Sequence, residues 1–287
     1  MESKLILILG MHRSGTSAMT RMLNLLGVEL GSHLLKPQND NKKGFWENQD
    51  IVAINEHILF DMQRSWDDPR ELQLQDEIVS KYEDNILSVL NEICGDNNLW
   101  GFKDPRLCRL LPLYRPLFDK KEISPLAVML VREPMEVALS LQKRNGLPIE
   151  TGLLLWLIYT LEAEEYSRGL SRVWVTYDSL IDDWRLVVEK IQDEFSIKWP
   201  VSLDDTASEI SSFIDGGLRN HHNEIVNYKG SLDIKRWAEE VFSLVKGTNV
   251  SDEKIVDLDL IRDGLRGFSS RLYESTITNA LNEKVRL

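Results

Sequence analysis

Gly10-Met-His-Arg-Ser-Gly-Thr-Ser17 is the segment whose residue types and spacing point most directly to chemistry. It follows the apolar run Leu5 to Leu9 and opens a stretch of helical spacing, the strand–loop–helix context in which backbone amides and a helix dipole receive an oxyanion. The full phosphate-loop pattern is Gly, four residues, Gly, Lys, then Ser or Thr; here Thr16 stands at the lysine position and Arg13 is the only cation inside the loop. Amides between Arg13 and Ser17 still favour an anion, so His12, Arg13, Ser14, Gly15, Thr16 and Ser17 are the first candidate binding residues. Triphosphate chemistry is weakened, because the missing lysine and a magnesium-bound hydroxyl serve the β- and γ-phosphates.

Two further clusters carry cations. Arg132 ends an apolar run and Pro134 starts the next helix, which puts Ser140 about two turns in, on a side that can face Arg132; one phosphate could meet both. Lys103 ends another run in Phe102-Lys-Asp-Pro-Arg106, where Pro105 stops the strand, and its ammonium would sit over the ligand edge and meet charge that develops during group transfer. A transfer to a hydroxyl also needs a proton acceptor. Glu47 is the leading candidate, with Phe45 and Trp46 beside it to desolvate the carboxylate and raise its pKa. Asp104 and the histidines remain alternatives.

The elements that must position these residues are legible in outline. Lys4 to Leu9, Leu99 to Lys103, Leu126 to Val131 and Arg172 to Tyr177 read as buried parallel strands. Helical spacing covers Thr16 to Leu26, Ile51 to Arg64, Leu72 to Cys94, Met135 to Arg144 and Gly152 to Tyr166. This alternation predicts an α/β class, a three-layer P-loop-like fold with a central parallel sheet flanked by helices. Each strand ends at a chemically suggestive sequence, HRSGTS, FKDPR, VREP and TYDSL, and ligands of such sheets lie beyond the carboxyl ends. Beyond about residue 200 the pattern turns helical: Asp204 to Ile214, Leu232 to Val245, and Glu253 to about Leu281 with Leu258, Ile261, Leu265, Phe268 and Leu272 as an apolar stripe. The expected organisation is a binding domain over 1–225 and a helical extension over 226–287, its stripe packed on the same domain or paired across a homodimer.

The loop GMHRSGTS, the later FKDPRLCRLLP and the VREPMEVALS segment, together and in this order, resemble sulfotransferases that use 3′-phosphoadenosine 5′-phosphosulfate (PAPS), of the bacterial type whose loop reads HRSGTS. The resemblance covers roughly residues 5 to 220. It implies that the first loop holds the 5′-phosphosulfate with Arg13 on the bridging oxygen, that Arg132 and Ser140 take the 3′-phosphate, and that no metal is required at the transfer step. It also implies that Tyr177 approaches the adenine and that Arg219, in a late glycine-containing loop, adds a donor to the 3′-phosphate. The eukaryotic cytosolic members carry a catalytic histidine two residues after the lysine. Pro105 stands there instead, and Glu47 corresponds to the glutamate of members that lack the histidine. The implied activity is sulfuryl transfer to a hydroxyl or amine of a carbohydrate, lipid or other small molecule. A lysine-less kinase or nucleotidase using Lys103, and a nucleotide-binding module without catalysis, are the competing classes.

Composition bounds the setting. The 287 residues are 43% hydrophobic, too apolar for disorder, and no apolar stretch approaches the length of a membrane span. A formal net charge of -12 argues against nucleic acid as a partner, so an anionic ligand requires a local cluster of cations. Two cysteines make no disulfide framework, and the N-terminus reads as no secretory signal; a cytoplasmic setting is the expectation.

Overall fold

In β1 (Lys4–Leu9) every side chain from Leu5 to Leu9 is fully buried, Leu5, Leu7 and Leu9 on one face of the sheet and Ile6 and Ile8 on the other. A strand can be apolar on both faces only where helices cover both, and that is the arrangement of the computed structural model, which describes residues 3–38, 43–214, 228, 230–247 and 250–266. The remaining strands are β2 (Leu99–Lys103), β3 (Leu126–Val131) and β4 (Ser171–Thr176). All pair in parallel in the order β2-β1-β3-β4, with Ile8 opposite both Lys103 and Val128. The chain leaves β1, builds β2 on one side and β3 on the other, so the switch in strand order falls at the carboxyl end of β1. That is where such sheets open a ligand crevice.

One helical layer contains α1 (Thr16–Leu25), α7 (Tyr177–Asp182), α8 (Trp184–Phe195) and α9 (Leu203–Phe213), packed on Ile6, Ile8, Val128 and Val175. The other contains α2 (Gln49–Asp61), α3 (Asp76–Cys94), α4 (Leu107–Lys120), α5 (Pro134–Asn145), α6 (Ile149–Tyr166) and α10 (Leu232–Val245), with a last helix over residues 252–266. Ile234, Ala238, Val241 and Val245 of α10 are fully buried, and Leu258, Ile261 and Leu265 join the same core as α4 to α6. The described part of the C-terminal stripe is therefore covered by its own chain. Phe268, Leu272, Arg219 and the boundary proposed at 225 lie outside the described residues. No helix among those described is long and apolar enough to cross a membrane.

Three departures from the sequence reading have physical reasons. Tyr177 does not end β4; it starts α7, because the Thr176 side chain accepts a hydrogen bond from the Ser179 amide and caps a helix there. Helix α4 starts just after Pro105, where a helix was expected, but its run through Pro112 and Pro116 to Lys120 went unanticipated because those prolines interrupt the usual amide pattern, although it packs along its whole length. Helix α8 also went unanticipated, its Trp184, Val187, Val188, Ile191 and Phe195 burying one face of a strongly polar segment.

Candidate functional site

The loop after β1 is shaped by close approaches that few residues other than glycine tolerate. A Cβ on Gly10 would stand 2.5 Å from the Leu130 carbonyl oxygen, and the Gly10 amide donates to Cys108 Sγ at 3.1 Å. Ser14 N donates to Met11 O at 3.1 Å, which closes the turn, and Arg13 takes a left-handed φ of 70°. Gly15, at φ 89°, is the N-cap of α1, and a Cβ there would fall 2.2 Å from the Tyr177 ring. A glycine N-cap has no side chain to offer, so the first-turn amides of α1 receive no side-chain cap. The Ser14 hydroxyl is buried without a hydrogen-bond partner among the described residues. Amides without a side-chain cap, a buried hydroxyl and the positive end of a helix dipole together form a cradle for an oxyanion.

Tertiary packing brings α5 against this cradle. Arg13 Nε donates to Ser140 Oγ at 2.8 Å, and Arg132 Nη1 donates to the Arg13 carbonyl at 3.3 Å, so Arg13, Arg132 and Ser140 form one cluster rather than two separate ones. The Arg132 guanidinium carbon lies 4.4 Å from the centre of the Tyr177 ring, which is 4% exposed. Tyr177 thus forms a platform beneath loop and arginine. Sequence reading missed Glu136, whose Oε2 accepts from Arg132 Nε at 2.8 Å. Its spacing of four from Arg132 on a helix was the available signal. An anion at Arg132 shares that guanidinium with Glu136.

Lys103 and Glu47 meet across the mouth of β2. Lys103 is 1% and Glu47 7% exposed; Nζ donates to Glu47 Oε1 in a short ion pair and to Ser17 Oγ at 3.4 Å. Glu47 is brought there by its neighbours. Asn48 caps α2 by accepting from Asp50 N at 3.0 Å and Ile51 N at 3.2 Å, while Leu35 N donates to Glu47 O and Gln49 N to His33 O, a bracket that fixes residues 47–49. Burial raises the Glu47 pKa above its ordinary value, the Lys103 ammonium opposes that shift, and the Asp104 carboxylate adds to it. The expected desolvation is present, while the Trp46 ring lies against the Arg21 guanidinium at 4.4 Å and edge-on to Phe213.

Asp104 is fully buried and faces away from this pair. Its Oδ1 accepts from Arg106 N at 3.0 Å and Nη1 at 2.8 Å, and its Oδ2 from Asn55 Nδ2 at 2.9 Å; Asn55 in turn accepts from the Tyr114 hydroxyl. Both carboxylate oxygens are occupied in holding Arg106 and seating α4, so the expected alternative part of Asp104 as a base does not fit this geometry. Arg106 also pairs with Glu56. His12 lies with its ring centre 4.6 Å from that of Trp66 and 5.9 Å from that of Tyr159, its Nε2 buried and unpartnered among the described residues. Burial, followed by Arg106, Arg144, Lys103 and Arg13, holds its pKa well below the ordinary 6.5, so the ring is neutral at pH 7. Among the described residues Arg13, Lys103, Arg106, Arg132 and Arg144 thus gather at the crevice of an acidic chain, and Arg106, Arg144, Glu136 and Asn55 are members that motif reading passed over.

No family model matches the chain, and no curated protein does. Among solved structures it is similar to the sulfotransferase domain of the Synechococcus olefin synthase, at 19% identity over 83% of this chain and 95% of that one, with a TM-score of 0.49. It is similar to the sulfotransferase domain from the curacin biosynthetic pathway at 14% identity over 84% and 96% of the two chains, TM-score 0.49. A Mycobacterium tuberculosis sulfotransferase follows at 15% identity over 85% and 77%, TM-score 0.43.

Proposed function

We propose that the chain is a sulfotransferase that moves a sulfuryl group from PAPS to a hydroxyl of a small-molecule or glycan acceptor. The observation that carries this reading is the joining of Arg13, in a lysine-less oxyanion loop, to Arg132 and Ser140, with the buried Lys103–Glu47 pair touching the same loop through Ser17. The residues present fit the donor: an uncapped helix start and the unpartnered Ser14 hydroxyl suit a phosphosulfate, and Arg132 and Ser140, each joined to Arg13 in the same cluster, suit the donor's second phosphate. A phosphosulfate carries less charge than a triphosphate, so a loop with one arginine is adequate for it.

In the transfer, the acceptor oxygen forms a bond to sulfur while the bond from sulfur to the 5′-phosphate oxygen breaks and its electron pair leaves with the phosphate. Glu47 takes the acceptor proton, its basicity raised by burial. Lys103 meets charge on the sulfuryl oxygens, and Arg13 with the loop amides meets charge on the leaving phosphate. Once Glu47 is protonated, the Lys103 ammonium loses its pairing anion and turns to the more negative transferring group. Arg132 and Ser140 hold the 3′-phosphate and orient the donor in line.

Ligand binding tests the reading against a kinase. The product 3′-phosphoadenosine 5′-phosphate raises Tm without magnesium, with about 2.7 kcal/mol of stabilisation at 100 times its Kd. ATP with magnesium does much less. Stabilisation by ATP–magnesium alone, with no response to the bisphosphate, would sink the proposal.

A further inference from the structure

The segment joining α2 to α3 is held from beneath by two core side chains that the transfer itself does not use. Arg109, 1% exposed on α4, donates Nη1 to Asp68 O and Nη2 to Arg70 O, each at 2.7 Å, and Nε to Glu162 Oε2 at 2.9 Å. Tyr159 on α6 donates its hydroxyl to the Trp66 carbonyl at 2.6 Å, and its ring centre lies 5.7 Å from the Arg109 guanidinium carbon. The carbonyls of residues 66, 68 and 70 are therefore each tied to a buried donor. A buried arginine paired with a carboxylate is a poor source of net stability, because desolvation offsets the attraction. What this one does is fix a backbone.

The backbone so fixed carries Trp66 to the oxyanion loop. The Trp66 indole is half-buried and leans on His12, which immediately precedes Arg13 and also meets the Tyr159 ring edge-on. Neutral imidazole and indole make an uncharged surface beside Lys103, Arg106, Arg144 and Arg13. We propose that Arg109 and Tyr159 are positioning residues that set the Trp66 indole against His12 as the acceptor-facing wall of the site, and that the acceptor it suits presents a flat, weakly polar face, an aromatic ring or the C–H face of a sugar. Indole offers such a face broad contact at low conformational cost. The inference rests on the sulfotransferase reading for the acceptor, though not for the strap.

The test follows His12 by NMR in full-length protein with isotope-labelled histidine, the resonance assigned with His12→Gln. Tyr159→Phe removes only the hydroxyl that holds the Trp66 carbonyl, and Arg109→Lys keeps a charge opposite Glu162 but loses the fork that reaches two carbonyls. In both variants, as in Trp66→Ala, the His12 titration moves up toward 6.5 while affinity for 3′-phosphoadenosine 5′-phosphate stays as in the wild type. Added to the wild-type bisphosphate complex, naphthol or methyl glucoside shifts the His12 resonance, and Trp66→Ala abolishes the shift; the probe that acts tells the aromatic face from the sugar face. A His12 titration unchanged in Tyr159→Phe and Trp66→Ala overturns the strap, and a wild-type resonance indifferent to both probes overturns the acceptor wall. Either failure with bisphosphate binding intact leaves the donor reading standing, whereas wild-type protein that binds no bisphosphate overturns that reading itself.

Discussion

Glu47→Gln isolates the proton acceptor from the rest of the site. With Lys103 at 1% and Glu47 at 7% exposure, the exchange leaves a buried ammonium facing a neutral amide. Deleting one member of a buried ion pair outright costs about 3–5 kcal/mol. The glutamine oxygen still accepts from Nζ, so only charge assistance is lost, about 1–2 kcal/mol, or about 2–8 °C in Tm for a chain of this size. The effect on rate is larger: loss of a general base lowers turnover by about 10²- to 10⁴-fold, equal to about 2.7–5.4 kcal/mol of barrier. Calorimetry, bisphosphate titration and steady-state turnover with a hydroxyl acceptor give the three readouts, and affinity for the bisphosphate stays as in the wild type because the loop does not use Glu47. Burial raises the Glu47 pKa above its ordinary 4.5, so as pH falls the carboxylate is protonated earlier than an exposed glutamate would be, and the acid limb of kcat/KM lies above that value. The limb disappears in Glu47→Gln. A folded variant with near-normal turnover, or one whose bisphosphate affinity falls in step with its rate, refutes the assignment.

The other predictions concern the loop and its neighbours. Arg132→Ala weakens the bisphosphate strongly and 5′-AMP only slightly, through the lost bond to the Arg13 carbonyl, whereas Ser140→Ala weakens both slightly, because Ser140 Oγ accepts from the Arg13 side chain of the 5′ loop; calorimetric titration of the two nucleotides distinguishes them, and equal losses for Arg132→Ala would remove it from the 3′ site. Gly15→Ala combines a left-handed φ with a Cβ 2.2 Å from the Tyr177 ring and costs about 2–5 kcal/mol together with bisphosphate binding. Gly146→Ala, at φ 72° with open space around it, costs only the backbone strain of about 1–2 kcal/mol and spares binding; similar denaturation curves and similar binding for both variants would refute the close-approach argument. His12 contributes stability that is fully present above pH 6.5 and is lost as pH falls toward its depressed value, since the unfolded chain accepts a proton that the folded one resists. Urea denaturation shows this as a slope of at most about 1.4 kcal/mol per pH unit, reduced by the ring's partial exposure, which His12→Gln removes. Identical slopes for variant and wild type would contradict the burial of His12.

Local chemistry was readable wherever a short stretch of chain determines its own structure. The runs at Lys4, Leu99 and Leu126 became β1, β2 and β3 without a change of boundary, because residues apolar on both faces can only be buried parallel strands. The oxyanion loop followed from glycine spacing, since its strain and its missing Cβ atoms are properties of consecutive residues. Pairings between distant segments were a different matter. Whether Glu47 would meet Lys103, or Asp104 would turn away to Arg106, depends on how the 33–35 bracket and the α4 start pack against β2, and neither is encoded within reach of the residue concerned. Arg13 meets Ser140 across 127 positions, and Trp66 reaches His12 only because Arg109 and Tyr159, on two other helices, hold its backbone. Residue type and spacing set which groups could act; the side-chain directions that decide which of them act together exist only once both faces of the sheet are packed.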